Sequence, residues 1–328
     1  MAGRFVEFYN VFAHHFQYWG KDSTHHARNY LSGLLGTVRR KNIGRIEEDV
    51  AESNYQGMQQ FISDSPWDHH GLLDAINYHA EGMLGSHRDS ALYLDETSFL
   101  KKGHASVGVK RQYCGRIGKI ENCQIGVFAC LGRAERAQLV DYRLFLPEDW
   151  ADDPERCNKV KIPENHRVHR TKAELALELV TKARVRGLNY QWIGGDAIYG
   201  TNSELTEALE DMGEIFLMDV TSAVKVWDQD LQLELPSKHA GKGRPYSIGQ
   251  VTNPEVRHRN VAELTREYFE TESRQVKLRS TSKAPLVYRV WVKEVWLWDK
   301  TSASSDKKRA YLLLNNVHAK SPFSYCFD

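Results

Sequence analysis

The stretches that decide the fold are Ala91-Leu92-Tyr93-Leu94-Asp95-Glu96-Thr97 and Tyr190-Gln191-Trp192-Ile193-Gly194-Gly195-Asp196. Each is an apolar run of strand length that ends in an aspartate. Between them, Ser106 to Tyr113, Cys123 to Cys130 and residues 138–146 alternate or run apolar, which predicts a meander of strands. Gly115 to Gly118 fits a tight turn, and Pro147 opens a loop through Trp150, Asp152, Asp153 and Pro154 that is expected to be irregular. Thr171 followed by Glu174 is a capping-box signature, and the leucines of 171–180 predict an amphipathic helix ended near Gly187. Asn202 or Ser203 can cap a further helix, and Glu214 to Val220 reads as one more strand. Strands, a crossover helix, a strand, a helix and a strand together make an α/β core.

Outward from this core the texture changes twice. Residues 1–88 read as a helical region: Phe5, Phe8, Tyr9 and Phe12, followed by Phe16 and Trp19, form an aromatic stripe best explained by core packing. Residues 89–220 hold the core, and 221–328 read as β-rich, with an irregular stretch at 236–260 followed by strands at 276–278, 286–298 and 307–315. Trp291, Trp296 and Trp298 are expected to fill a sheet core. No internal repeat is visible.

The 328 residues are 41% hydrophobic and 27% charged, with a formal net charge of +1, which argues for a globular protein without advertising a polyanionic partner. No run approaches the length of a membrane span, and the first residues lack the apolar segment of a signal peptide. Five cysteines without a CxxC pair favour a reducing compartment.

Asp95 and Asp196 lie about a hundred residues apart, yet adjacent strands bring such positions together. Carboxylates so placed can share divalent ions, and oxygen donors suit magnesium or manganese, whereas no compact Cys/His set for zinc is present. His166 and His169 near Cys157 are read as structural. Strand alternation turns Glu96 away from Asp95, toward a supporting role. The competing reading makes Asp95 a turn acid and Asp196 a helix cap. Gly194, Gly195 and Gly200 around Asp196 favour a site, because glycine allows close approach of backbone or ligand.

At these residues the chain closely resembles the DDE transposases of bacterial insertion sequences, in the IS701-like branch related to the IS4 group. The likeness is carried by Leu94-Asp95-Glu96-Thr97-Ser98-Phe99-Leu100-Lys101-Lys102-Gly103, by Ser106 to Tyr113 and by Gly118 to Phe128. Leu146-Pro147-Glu148-Asp149-Trp150 and Gly195-Asp196-Ala197-Ile198-Tyr199-Gly200 complete it. The resemblance implies an RNase H-like core with a β-rich insertion, Asp95 and Asp196 as the first two members of a catalytic, metal-binding triad, and Mg2+ or Mn2+ as cofactor. It further implies cleavage of element ends by water and joining of the freed 3′ hydroxyl to target DNA, without a covalent protein intermediate. Implied partners are double-stranded DNA (terminal repeats and target), a second copy on paired ends and a full-length transposase. The implied location is the bacterial cytoplasm, at the nucleoid.

Family members carry the third acid, a glutamate, on a later helix of the pattern Arg-Trp-x-x-Glu. No such segment follows the β-rich region here, so the final catalytic helix is expected to be missing. Glu294, Glu210 and Glu121 are substitutes by composition only. Three functional readings therefore follow: a DNA-end-binding protein with uncertain autonomous catalysis, an active enzyme with a replacement or trans-supplied acid, or a non-catalytic regulator. Candidate phosphate contacts are Arg39, Arg40, Lys41 and Arg45 in the helical region, with Lys101, Lys102, Lys110, Arg111 and Lys119 near the core. Lys101 and Lys102 follow Asp95 closely, whereas a strand puts Lys110 and Arg111 on opposite faces.

Overall fold

A computed structural model describes residues 2–36, 39, 41–234, 250–253, 255–280, 285–298, 308–315 and 323–326. The chain divides into two compact units, Met1–Met83 and Leu84–Asp328.

In the first unit the apolar spacing yields helices Ala2–Phe12, Thr24–Leu35, Ile43–Asp49, Tyr55–Ser63 and His69–Leu84. Asn42 and Asn54 cap two of them by accepting from the amides of Arg45 and Gly57. Tyr9, Phe16, Ala27 and Phe61 form the core, with Phe5, Tyr30, Leu31, Trp67 and Leu72 packed against it. The aromatic stripe does not pack as a whole. The first helix stops at Phe12 and a 3-10 turn follows, so Phe8 stays exposed and Trp19 is 85% exposed at the tip of a two-strand ribbon.

The second unit is built on a ten-stranded mixed sheet. At its centre is strand Ser90–Leu100, paired antiparallel with Lys119–Arg133 and parallel with Trp192–Gly195. Lys119–Arg133 carries both Lys110–Cys114 and Arg136–Leu144 along its other edge. Trp192–Gly195 pairs parallel with Phe216–Asp219, and the sheet continues antiparallel through Phe323–Cys326, Lys308–Asn315, Pro285–Leu297 and Arg274–Ser280. The strands of the β-rich region thus extend the same sheet. A parallel pair requires a crossover connection, and helix Lys172–Val185 supplies it. Its Leu175, Ala176, Leu179 and Val180 are buried, as are Leu92, Leu94, Val127, Leu131, Ile193 and Phe216 of the sheet. The other face of the sheet keeps Tyr93, Phe99, Tyr142 and Leu144 partly in solvent.

The helix starts with the expected capping box: Thr171 and Glu174 each accept from the other's backbone amide. Thr171→Ala is expected to cost about 1 kcal/mol of stability, read from the midpoint of urea unfolding.

Three local expectations change. Residues 106–109 form a turn closed by the Val109 amide on Ser106 O at 3.1 Å, so the second strand is only Lys110–Cys114. The stretch after Pro147 is ordered into two short helices, Glu148–Ala151 and Pro154–Lys159, because Trp150 is fully buried and Asp153 caps the second. Helix Val261–Glu272 stands between the expected irregular stretch and the expected strands, started by a capping box of Asn260 and Glu263. Of the 236–260 segment, residues 236–249 and 254 fall outside the described residues. Trp291 and Trp298 are buried, and Trp291 stacks on Tyr268 at 5.9 Å.

Candidate metal centre

The carboxylates meet because of strand register. Leu94 lies beside Gly195 as the last pair of the parallel ladder, so Asp95 and Asp196 are each the next residue on adjacent parallel chains. Asp196 leaves its strand and caps the one-turn helix Ala197–Gly200, its Oδ1 accepting from the Ile198 amide at 3.0 Å. The cap and site readings of Asp196 are therefore compatible. Asp95 does not end its strand. It sits in the middle of the 11-residue strand Ser90–Leu100, with Oδ1 accepting from the Glu96 amide at 2.8 Å.

One carboxylate oxygen from each of Asp95, Glu96 and Asp196 lies within 4.8 Å of the other two. Alternation does send Glu96 toward the other face, where Lys172 Nζ donates to it at 2.8 Å and the Tyr199 hydroxyl at 3.2 Å. Where the neighbouring strand ends at Gly195, its carboxylate still reaches back to the two aspartates, which alternation alone did not suggest. The glycines read around Asp196 have steric work. A Cβ on Gly194 would stand 2.9 Å from the Tyr93 ring, which lies across that strand.

Burial raises the Asp95 carboxyl above its usual range; the Glu96 amide pulls it back and the Glu96 charge raises it further. Burial and then the Glu96 charge raise Asp196, with Asp95 adding to the rise and the Ile198 and Tyr199 amides opposing it. Tyr199, fully buried, is pushed far above the ordinary phenol range by burial and by the charges of Glu96 and Asp196, so its hydroxyl remains a donor. Clustered carboxylate oxygens of this kind could hold a hard divalent cation.

The remaining site expectations scatter. The strand runs on to Leu100, which carries Lys101 and Lys102 about 20 Å beyond Asp95, rather than beside it. Lys110 pairs with Asp149 at 2.9 Å, Lys119 approaches Glu121 at 3.9 Å, and Arg111 is exposed between them on the hairpin. In the first unit, Arg45 pairs with Glu48 at 2.6 Å and Lys41 donates to the carbonyls of Gly33 and Gly36, closing a helix end. Arg39 is exposed, and Arg40 lies outside the described residues.

The substitute third acids are occupied elsewhere. Glu294 pairs with Arg309 at 2.8 Å, Glu210 with Lys308 at 2.9 Å, and Glu121 accepts from the Asn122 amide at 3.0 Å. Cys157 Sγ lies 3.1 Å from Trp150 O and His169 Nδ1 2.8 Å from Leu146 O, which leaves them in structural roles. Sequence reasoning missed Lys172. Its position at the first turn after the Thr171 cap was the available signal, since that end of a crossover helix faces a parallel strand's carboxyl end.

The three acids gather where strand Trp192–Gly195 ends beside the middle of Ser90–Leu100, and together they could hold a metal ion. The sequence pattern of the DDE superfamily endonucleases matches residues 7–285, and the chain belongs to that family. It is also similar to the probable transposase for insertion sequence element IS701 of Microchaete diplosiphon, 25% identical over 195 residues. That match covers 58% of this chain and 47% of the relative, so the chain spans about half the length of the curated relative it matches. Among the described residues no helix is long and apolar enough to cross a membrane.

Proposed function

We propose that the protein acts on the DNA ends of an insertion sequence, with Asp95 and Asp196 holding Mg2+ or Mn2+ at the scissile phosphate. The observation that carries this reading is the convergence of both aspartates to within 4.8 Å in a DDE superfamily endonuclease. A bound divalent ion would supply Lewis-acid stabilisation of the attacking and leaving oxygens. The protein's own part is to hold the two carboxylates at adjacent positions inside the sheet, where burial and neighbouring charge raise both above their usual range and an ion would relieve that cost. Arg39, Arg40, Lys41, Arg45, Lys101, Lys102, Lys110, Arg111 and Lys119 are proposed to neutralise backbone phosphates. Those already paired with acids would exchange these exposed, weak ion pairs for phosphate. A second copy on paired ends, or a full-length transposase, completes the assembly and can supply a third acid.

A second reading, a regulator that occupies element ends without cutting them, is favoured by one observation. Among the described residues, Glu294, Glu210 and Glu121 are all committed away from the cluster. The deciding experiment incubates the purified protein with labelled element ends and Mg2+ or Mn2+, reading retardation and strand scission separately. Salt-sensitive binding with metal-dependent scission supports the enzyme, and binding alone supports the regulator. A folded protein that retards no end fragment at low salt removes both.

A further inference from the structure

Glu96 is the acid whose presence in the trio most needs an explanation. Both of its oxygens are engaged by protein donors: Oε1 by the Lys172 ammonium at 2.8 Å, Oε2 by the Tyr199 hydroxyl at 3.2 Å. Its own amide donates to Asp95 Oδ1 at 2.8 Å. Lys172 begins the crossover helix behind the Thr171 cap, and Tyr199 belongs to the one-turn helix that Asp196 caps. A single residue therefore ties together the strand bearing Asp95, the crossover helix and the turn bearing Asp196.

The setting is dry enough for these bonds to count. Tyr199 is fully buried, and the side chains of Glu96 and Lys172 are 12% and 20% exposed. Recruiting Glu96 to a divalent cation would break a charge-assisted bond and leave the Lys172 ammonium facing a dication. The same ammonium already neutralises Glu96, which removes much of its attraction for a cation.

Resting on the metal-centre reading above, we infer that Glu96 is a positioning residue. Clamped by Lys172 and Tyr199, it fixes the spacing of Asp95 and Asp196 without itself ligating the ion. Groups that orient metal ligands in this way typically cost about 10–100-fold in metal affinity when removed.

The test is Mn2+ titration of the whole chain, followed by the paramagnetic resonance of free Mn2+, with folding confirmed by circular dichroism. Glu96→Gln, Lys172→Met and Tyr199→Phe are each expected to weaken Mn2+ binding by about 10-fold. The Glu96→Gln/Lys172→Met double variant is expected to be no worse than Lys172→Met alone, because both break one clamp. Lys172→Arg keeps a cation and is expected to restore most of the affinity.

Lys172→Met is the discriminating variant, since it makes the site more negative and simple electrostatics predicts tighter Mn2+. Tighter binding in Lys172→Met, with Glu96→Gln as damaging as Asp95→Asn, would make Glu96 a ligand and overturn the inference. Unchanged affinity in all three single variants, with Asp95→Asn impaired, would also overturn it while the metal centre stands. Equal Mn2+ binding by wild type and Asp95→Asn would remove the metal centre and the clamp with it.

Discussion

Asp95→Asn and Asp196→Asn are each expected to reduce Mn2+ affinity by more than about 100-fold, beyond the loss typical when only a ligand's supporting partner is removed. The same substitutions should raise the melting temperature of the metal-free protein. Burial and then the nearby Glu96 charge hold both carboxyls above their usual range, against the backbone amides that each accepts from. A carboxyl whose pKa is raised by folding binds its proton more tightly in the native state than in the unfolded chain. The stability this confers is present at acid pH and is lost as pH rises through the raised values. At neutral pH both aspartates are ionised at a cost, which a neutral asparagine does not bear. Wild type should therefore gain from the ion, by about 2.7 kcal/mol when Mn2+ is one hundred times its Kd. The asparagine variants should start higher and gain little. A thermal-shift series across Mn2+ concentration and pH reads both effects. Variants that melt lower than wild type without metal, yet respond fully to Mn2+, would refute the assignment.

Gly200→Ala is expected to destabilise the second unit by on the order of 3 kcal/mol and to weaken Mn2+ binding as well. The added Cβ would stand 2.1 Å from Asp219 O and 2.9 Å from the Met218 Cβ. The first neighbour is backbone at the end of strand Phe216–Asp219, so no rotamer change relieves the overlap. Either the strand or the Ala197–Gly200 turn must shift, and that turn carries the Asp196 cap and the Tyr199 hydroxyl. Urea unfolding measures the stability loss, provided the m-value is unchanged. Gly103→Ala is the control, because a Cβ there meets nothing within 4 Å. Its effect should stay within about 0.5 kcal/mol. Equal midpoints for the two variants would show that the turn yields freely.

The two cases differ in how far sequence foresaw them. Gly200 stood out as a glycine beside a candidate acid, but the carbonyl it approaches lies on a strand that only tertiary packing brings near. Lys101 and Lys102 show the opposite failure. Their closeness to Asp95 in sequence suggested closeness in space, and an extended strand converts each intervening residue into over 3 Å of separation. The short helices after Pro147 were hidden because acids and prolines read as loop, while burial of Trp150 orders them.

By itself the sequence determined the order and type of most elements in the core and the cap of the crossover helix. These follow from local periodicity and capping, which act over a few residues. Tertiary structure alone decided that Asp95 lies in mid-strand, that Leu94 and Gly195 share a register, and that Lys172 and Tyr199 clamp Glu96. Register between strands distant in sequence is set by which face is buried and by the crossover that joins them, and no local pattern encodes either.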